Sequence, residues 1–185
     1  MPPTMEELIQ TLTRAGVLSS PHVEAAFRAI DRKDFVPPEH RGEAYADHPL
    51  PIGNGQTISQ PYTVAFMLDL LDPKPGEKIL DVGAGSGWQS CLLAHVVSGG
   101  DERRRTNGEG KVYAMERIPE LCALARTNIA KYNFLRRGVV ELHCGDAAGG
   151  LSDEAPFDKI IAAAAGDELP TAWRDQLKIG GVIVR

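Results

Sequence analysis

The sequence predicts one α/β domain, a Rossmann-like parallel sheet with helices on both faces, preceded by a helical N-terminal segment. Three observations predict it. Beyond residue 75, short apolar runs alternate with helical patterns, the sequence form of a right-handedly wound parallel sheet. The chain has 185 residues, 43% of them apolar, enough for one sizeable core and too few for two. Finally, the strand expected at 78–82 runs into a glycine-rich turn and then a helix, the order in which such sheets build ligand sites.

The elements follow in order. Leu8, Ile9 and Leu12, then Val23, Ala26, Phe27 and Ile30, recur at helical spacing and give two short amphipathic helices separated at 16–21. Five prolines and three glycines between Phe35 and Pro61 predict an irregular, extended segment, and a loop of that length usually has a function. Pro61 fits the first turn of a third helix with the apolar face Val64, Phe66, Met67, Leu70 and Leu71. Strands are expected at 78–82, 111–116, 139–143, 159–163 and 182–184, and helices at 86–97, 119–132 and 170–177. The division is 1–74 for the helices and covering loop and 75–185 for the sheet-bearing core, within one compact unit.

Composition narrows the function. A net charge of −5 provides no general cationic field for nucleic acid or an anionic membrane. Arg103-Arg104-Arg105, balanced by Asp101, Glu102 and Glu109, reads as a solvated insertion. The longest apolar run, 160–165, is far short of a membrane span, and the first residues carry no secretory pattern, so a cytoplasmic protein is expected. Cys91, Cys122 and Cys144 form no C-x-x-C pair and read as plain buried thiols, with neither a disulfide nor a metal expected.

The chemistry concentrates at Asp81-Val82-Gly83-Ala84-Gly85-Ser86-Gly87-Trp88. Glycines let the backbone turn tightly and let a ligand approach it. The dinucleotide pattern G-x-G-x-x-G is broken because Trp88 stands at its last glycine, and the acid Asp81 suits an ammonium and a sulfonium better than a diphosphate. Both details favour S-adenosylmethionine over NAD. Glu116 closes the next strand and can accept from both ribose hydroxyls, while Asp146 could accept from the adenine amino group. Asp158 is read as a local cap or pair.

These runs, with Glu116-Arg117-Ile118-Pro119, Gly145-Asp146 and Pro156-Phe157-Asp158, resemble the class I methyltransferases. More narrowly, 49–61, containing Gln56-Thr57-Ile58-Ser59-Gln60-Pro61, with Phe35-Val36-Pro37 before it and Gln176-Leu177-Lys178-Ile179-Gly180-Gly181 after it, is similar to the protein-L-isoaspartate O-methyltransferase family over nearly the whole chain. The resemblance implies methyl transfer from S-adenosylmethionine to the α-carboxylate of L-isoaspartyl residues in damaged proteins, with isoaspartyl proteins or peptides as partners. It makes Ser59 the catalytic-site residue, with Ser59 and Gln60 toward the substrate. The expected donor contacts are Thr57, Ile58, Asp81, Gly83, Ala84, Gly85, Gly87, Glu116, Arg117, Asp146 and Ala147.

Two departures accompany it. Ala147 stands where the family usually has glycine, and its methyl could crowd the site. The sequence given ends at Arg185, where the family continues with a β-hairpin. From this follow the expectations of an exposed last strand, lower stability, and either impaired turnover or a partner over that edge, the chain being otherwise a monomer. The competing readings are another class I methyltransferase and a catalytically silent module that binds the donor or the isoaspartyl peptide; an NAD-dependent oxidoreductase ranks last.

Overall fold

The computed structural model describes residues 3–100, 110–164 and 168–185. The arginine run 103–105 therefore lies outside the described residues. Among the described residues seven α-helices and seven strands follow one another: α1 (Met5–Arg14), α2 (Pro21–Ala29), β1 (Leu50–Gly53), β2 (Gln56–Ile58), α3 (Pro61–Leu71), β3 (Lys78–Val82), α4 (Trp88–Val97), β4 (Lys111–Glu116), α5 (Pro119–Ala130), α6 (Phe134–Arg137), β5 (Val140–Cys144), β6 (Phe157–Ala162), α7 (Thr171–Asp175) and β7 (Leu177–Val184).

The last five strands form a parallel sheet in the order β5-β4-β3-β6-β7. The chain starts at β3, runs outward through β4 and β5, then returns to β6 on the other side of β3. The carboxyl ends of β3 and β6 therefore diverge into a crevice, the switch point where such sheets bind ligands. Side chains alternate between the faces, as the two-residue period of a strand requires. Ile79, Val112, Ala114, Val140 and Ile161 join the larger core with α1 to α5, whereas Leu80, Val82, Tyr113, Ile160 and Ala162 join a smaller one with Trp173 of α7.

Local chemistry fixes the N-terminal helices. Thr4 and Glu7 form a reciprocal capping box at the start of α1, with Glu7 N donating to Thr4 Oγ1 at 3.2 Å and Thr4 N donating to Glu7 Oε2 at 2.7 Å. Phe27 of α2 meets the Trp88 ring edge-to-face at 5.4 Å, which docks the helical preface on the sheet-bearing core.

Four expectations change. The irregular segment holds a hairpin: Leu50 pairs with Ile58 and Pro51 with Thr57, across a turn in which Asn54 and Gly55 have φ of 52° and 69°. Two left-handed residues in succession are what a tight hairpin turn requires, and Asn-Gly supplies them. In α3 the buried stripe is Pro61, Val64, Ala65, Leu68 and Leu71; Phe66 and Leu70 are exposed, because the face repeats at three and four residues from Pro61 and turns them outward. The last strand runs over eight residues rather than three, and the helix before it is only Thr171–Asp175. Cys122 and Cys144 are joined in a disulfide, with Cα atoms 5.8 Å apart, while Cys91 is a buried free thiol. Parallel pairing of β4 with β5 brings the end of β5 beside the first turn of α5, a proximity that a separation of 22 residues does not reveal.

Candidate active site

A cavity of about 610 Å³ opens at the carboxyl edge of the sheet, within the size range of small-molecule sites. Its floor is the turn after β3, its sides are the ends of β4, β5 and β6, and the hairpin segment 56–59 contributes a wall.

Glu116 is the best-fixed acid in it. Burial leaves its side chain 6% exposed; Gly85 N donates to Oε2 at 2.8 Å and Ile118 N donates to Oε1 at 2.9 Å. Each oxygen keeps a further acceptor position, so two neighbouring hydroxyls can be met at once. Asp146 is set by its own loop, where Ala148 N donates to Oδ1 at 2.9 Å in an Asx turn. That loop is pinned from below: Trp173 Nε1 donates to Ala147 O at 2.7 Å, and Gln176 Nε2 donates to Gly149 O at 2.9 Å.

Two buried polar atoms of the lining have no partner within the described residues. They are Ser86 Oγ and Trp88 Nε1, on side chains about 2% exposed. A buried donor without an acceptor costs about 1–3 kcal/mol, and because both atoms are enclosed rather than open to the cavity, that cost belongs to the packing around the turn. Glu116, with an acceptor position open on each oxygen, and the glycine turn fit a nucleoside-bearing donor. Asn128 Nδ2 donates to Ser86 O at 3.0 Å and holds that turn in place from α5.

Of the residues singled out in the sequence, Thr57, Ile58, Ser59, Gly83, Ala84, Gly85, Glu116, Arg117, Asp146 and Ala147 line this one cavity. Asp81, Gly87 and Gln60 do not. Asp81 shares the strand face of Ile79, so its fully buried carboxyl turns under α4, accepting from Gln89 Nε2 at 2.8 Å and Ser90 Oγ at 2.5 Å. Burial raises its pKa; the hydrogen bonds from Ser90 and Gln89 work against that rise and nearby Glu116 adds to it. Gly87 serves packing, since a Cβ there would stand 2.9 Å from Ile129 Cγ1. Gln60 donates to Asp47 Oδ2 at 3.2 Å, and Asp47 Oδ1 also accepts Tyr62 N at 2.8 Å, capping α3 from outside the helix. Asp158 accepts from Lys78 N at 2.8 Å and Lys178 Nζ at 2.6 Å, a local pairing.

Sequence reasoning passed over Ser86, Gln56 and Glu168, which also line the cavity. Ser86 sits inside the glycine motif, and its polar side chain between two glycines is the signal that could have found it. Among the described residues no group of three metal-ligating side chains comes together, and no helix is long and apolar enough to cross a membrane.

Comparisons with known proteins agree with this geometry. Residues 3–185 match the family model described as protein-L-isoaspartate(D-aspartate) O-methyltransferase. The protein-L-isoaspartate O-methyltransferase of Aeropyrum pernix is 50% identical over 177 residues, which cover 96% of this chain and 64% of that protein. That of Hyperthermus butylicus is 46% identical, over 96% and 72% of the two chains. A solved protein-L-isoaspartate O-methyltransferase superposes with a TM-score of 0.79 at 29% identity, covering 98% of this chain and 55% of the other. A Plasmodium falciparum protein described as a putative enzyme of that name, in complex with S-adenosyl-L-homocysteine, superposes with a TM-score of 0.85 at 25% identity, over 99% and 85%. The chain thus spans somewhat under two thirds of the Aeropyrum relative and about half of the first solved structure.

Proposed function

The chain belongs to the protein-L-isoaspartate(D-aspartate) O-methyltransferase family, and from that premise we propose that it transfers a methyl group from S-adenosylmethionine to the α-carboxylate of L-isoaspartyl residues in damaged proteins. One observation carries the reading: a buried acid anchored by backbone amides, Glu116, and the Ser59 segment line the same cavity. Residues 1–74 would supply its cover and 75–185 the donor-binding core.

Bound S-adenosylmethionine supplies an electrophilic methyl on a sulfonium, which a carboxylate oxygen can take as the carbon–sulfur bond breaks. The chain's own residues hold the partners. Glu116 accepts from the ribose hydroxyls through the positions that Gly85 and Ile118 leave open. Asp146 accepts from the adenine amino group.

Ser59 donates a hydrogen bond from its hydroxyl to the acceptor carboxylate, which stays ionised, and orients it. No general base is required, because a carboxylate with a pKa of about 4 is already ionised at neutral pH. What the chain must provide is alignment of oxygen, carbon and sulfur, and exclusion of water so that anion and cation neutralise each other. The β1–β2 hairpin is the element suited to that: Ile52 and Ile58 are both 5% exposed and both line the cavity.

Incubation with methyl-labelled donor and an isoaspartyl peptide should give a base-labile ester on that peptide and none on its aspartyl isomer. Equal labelling of both isomers, or label in a base-stable linkage, would overturn the proposal.

A further inference from the structure

Among the described residues the largest fully buried side chain is a cation, Arg32, and it ion-pairs with no carboxylate there. Its two Nη groups donate to main-chain carbonyls, while Nε has no partner among the described residues. Nη1 donates to Ala44 O at 2.8 Å and to Ala46 O at 3.3 Å; Nη2 donates to His48 O at 3.0 Å and to Ser59 O at 3.0 Å. On another side the guanidinium carbon lies 5.3 Å from the centre of the Trp88 ring, the first residue after the glycine turn. Burial lowers the Arg32 pKa to about 10, with Asp47 opposing the shift, so the group is still charged at neutral pH.

The arrangement solves a backbone problem. Residues 44–48 and 59 belong to no sheet, and their inward carbonyls have no strand to pair with. Four N–H groups fixed in one plane replace a neighbouring strand, and only arginine carries that many. The same plane joins the segment before the hairpin, the residue after it, and the start of α4.

We propose that Arg32 is a positioning residue for methyl transfer: by gripping the Ser59 carbonyl together with those of residues 44, 46 and 48, and by lying over Trp88, it fixes Ser59 against the glycine turn. This rests on the functional reading above and deepens it. Arg32 does not line the cavity and acts through Ser59, whose peptide plane it orients.

The test compares the parent chain with Arg32→Lys, which keeps the charge but has too few donors for four carbonyls, and with Arg32→Gln, a planar amide, should the lysine variant not fold. Hydrogen exchange is followed segment by segment. Amides of 44–60 should exchange at least about tenfold faster in the variant while β3, β4 and α5 keep their protection. At saturating donor and isoaspartyl peptide, turnover per folded molecule should fall by about tenfold or more. Unchanged exchange across 44–60 would overturn the proposal. So would a lower melting temperature with turnover per folded molecule intact, since Arg32 would then be structural only. If the parent transfers no methyl, the functional reading fails, and the exchange measurement alone decides whether Arg32 holds the segment.

Discussion

Glu116 Oε2 accepts the backbone N–H of Gly85 at 2.8 Å, so the end of one strand fixes the turn that follows its neighbour. The bond explains how an acid 31 residues from the glycine turn shapes that turn: parallel pairing of Val82 with Met115 brings the two ends side by side. Glu116→Ala should weaken binding of S-adenosylmethionine by roughly 1.5–3 kcal/mol, the scale of charge-assisted hydrogen bonds. Titration calorimetry reads this directly. An unaltered dissociation constant would remove Glu116 from the donor site.

Ser59 tests the acceptor side. Under the proposed function its hydroxyl faces the substrate carboxylate, so Ser59→Ala should lower turnover while leaving the donor dissociation constant within about twofold. Parent-level turnover in the variant would make Ser59 a structural residue.

The Cys122–Cys144 disulfide closes a loop of 22 residues between α5 and the end of β5. In the chain-entropy account such a crosslink stabilises by roughly 3 kcal/mol. Urea unfolding with and without reductant should show a loss of that order in the parent, and none in the Cys122→Ser, Cys144→Ser double variant. Equal sensitivity of both proteins to reductant would mean that the stabilisation lies elsewhere.

Asp81 gives stability a pH dependence of definite sign. Its carboxyl pKa is raised, by burial first, so the folded protein holds that proton more tightly than the unfolded chain does. The contribution is fully present below the unfolded value of about 4 and is lost as pH rises through the folded one. Urea unfolding from pH 4 upward should therefore show the stability of the parent relative to Asp81→Asn declining with pH. A difference that stays constant over the range would contradict the raised pKa.

The centre of the sheet was legible because β3, β4 and β6 are buried on both sides and read as nearly continuous apolar runs, as in Ile79-Leu80 and Ile160-Ile161. The glycine turn and Glu116 were legible because strand order alone sends them to one edge. Asp81 does not line the cavity: a one-residue step along a strand reverses the face, and sequence shows that an acid lies near the strand's end without showing that Gln89 and Ser90 await it under α4. The hairpin was hidden by Pro49 and Pro51, which read as breakers, although Asn54-Gly55 carried its turn signal. The disulfide and the contacts of Arg32 join residues far apart in the chain, and only the folded topology brings them together.

Whether the crevice takes a cationic nucleoside donor, as proposed, is read by titration calorimetry with S-adenosylmethionine against NAD. The expected result is saturable one-site binding of S-adenosylmethionine, raising stability by about 2.7 kcal/mol at a hundredfold excess over the dissociation constant, and no comparable heat from NAD. Saturable binding of NAD with none of S-adenosylmethionine would contradict it.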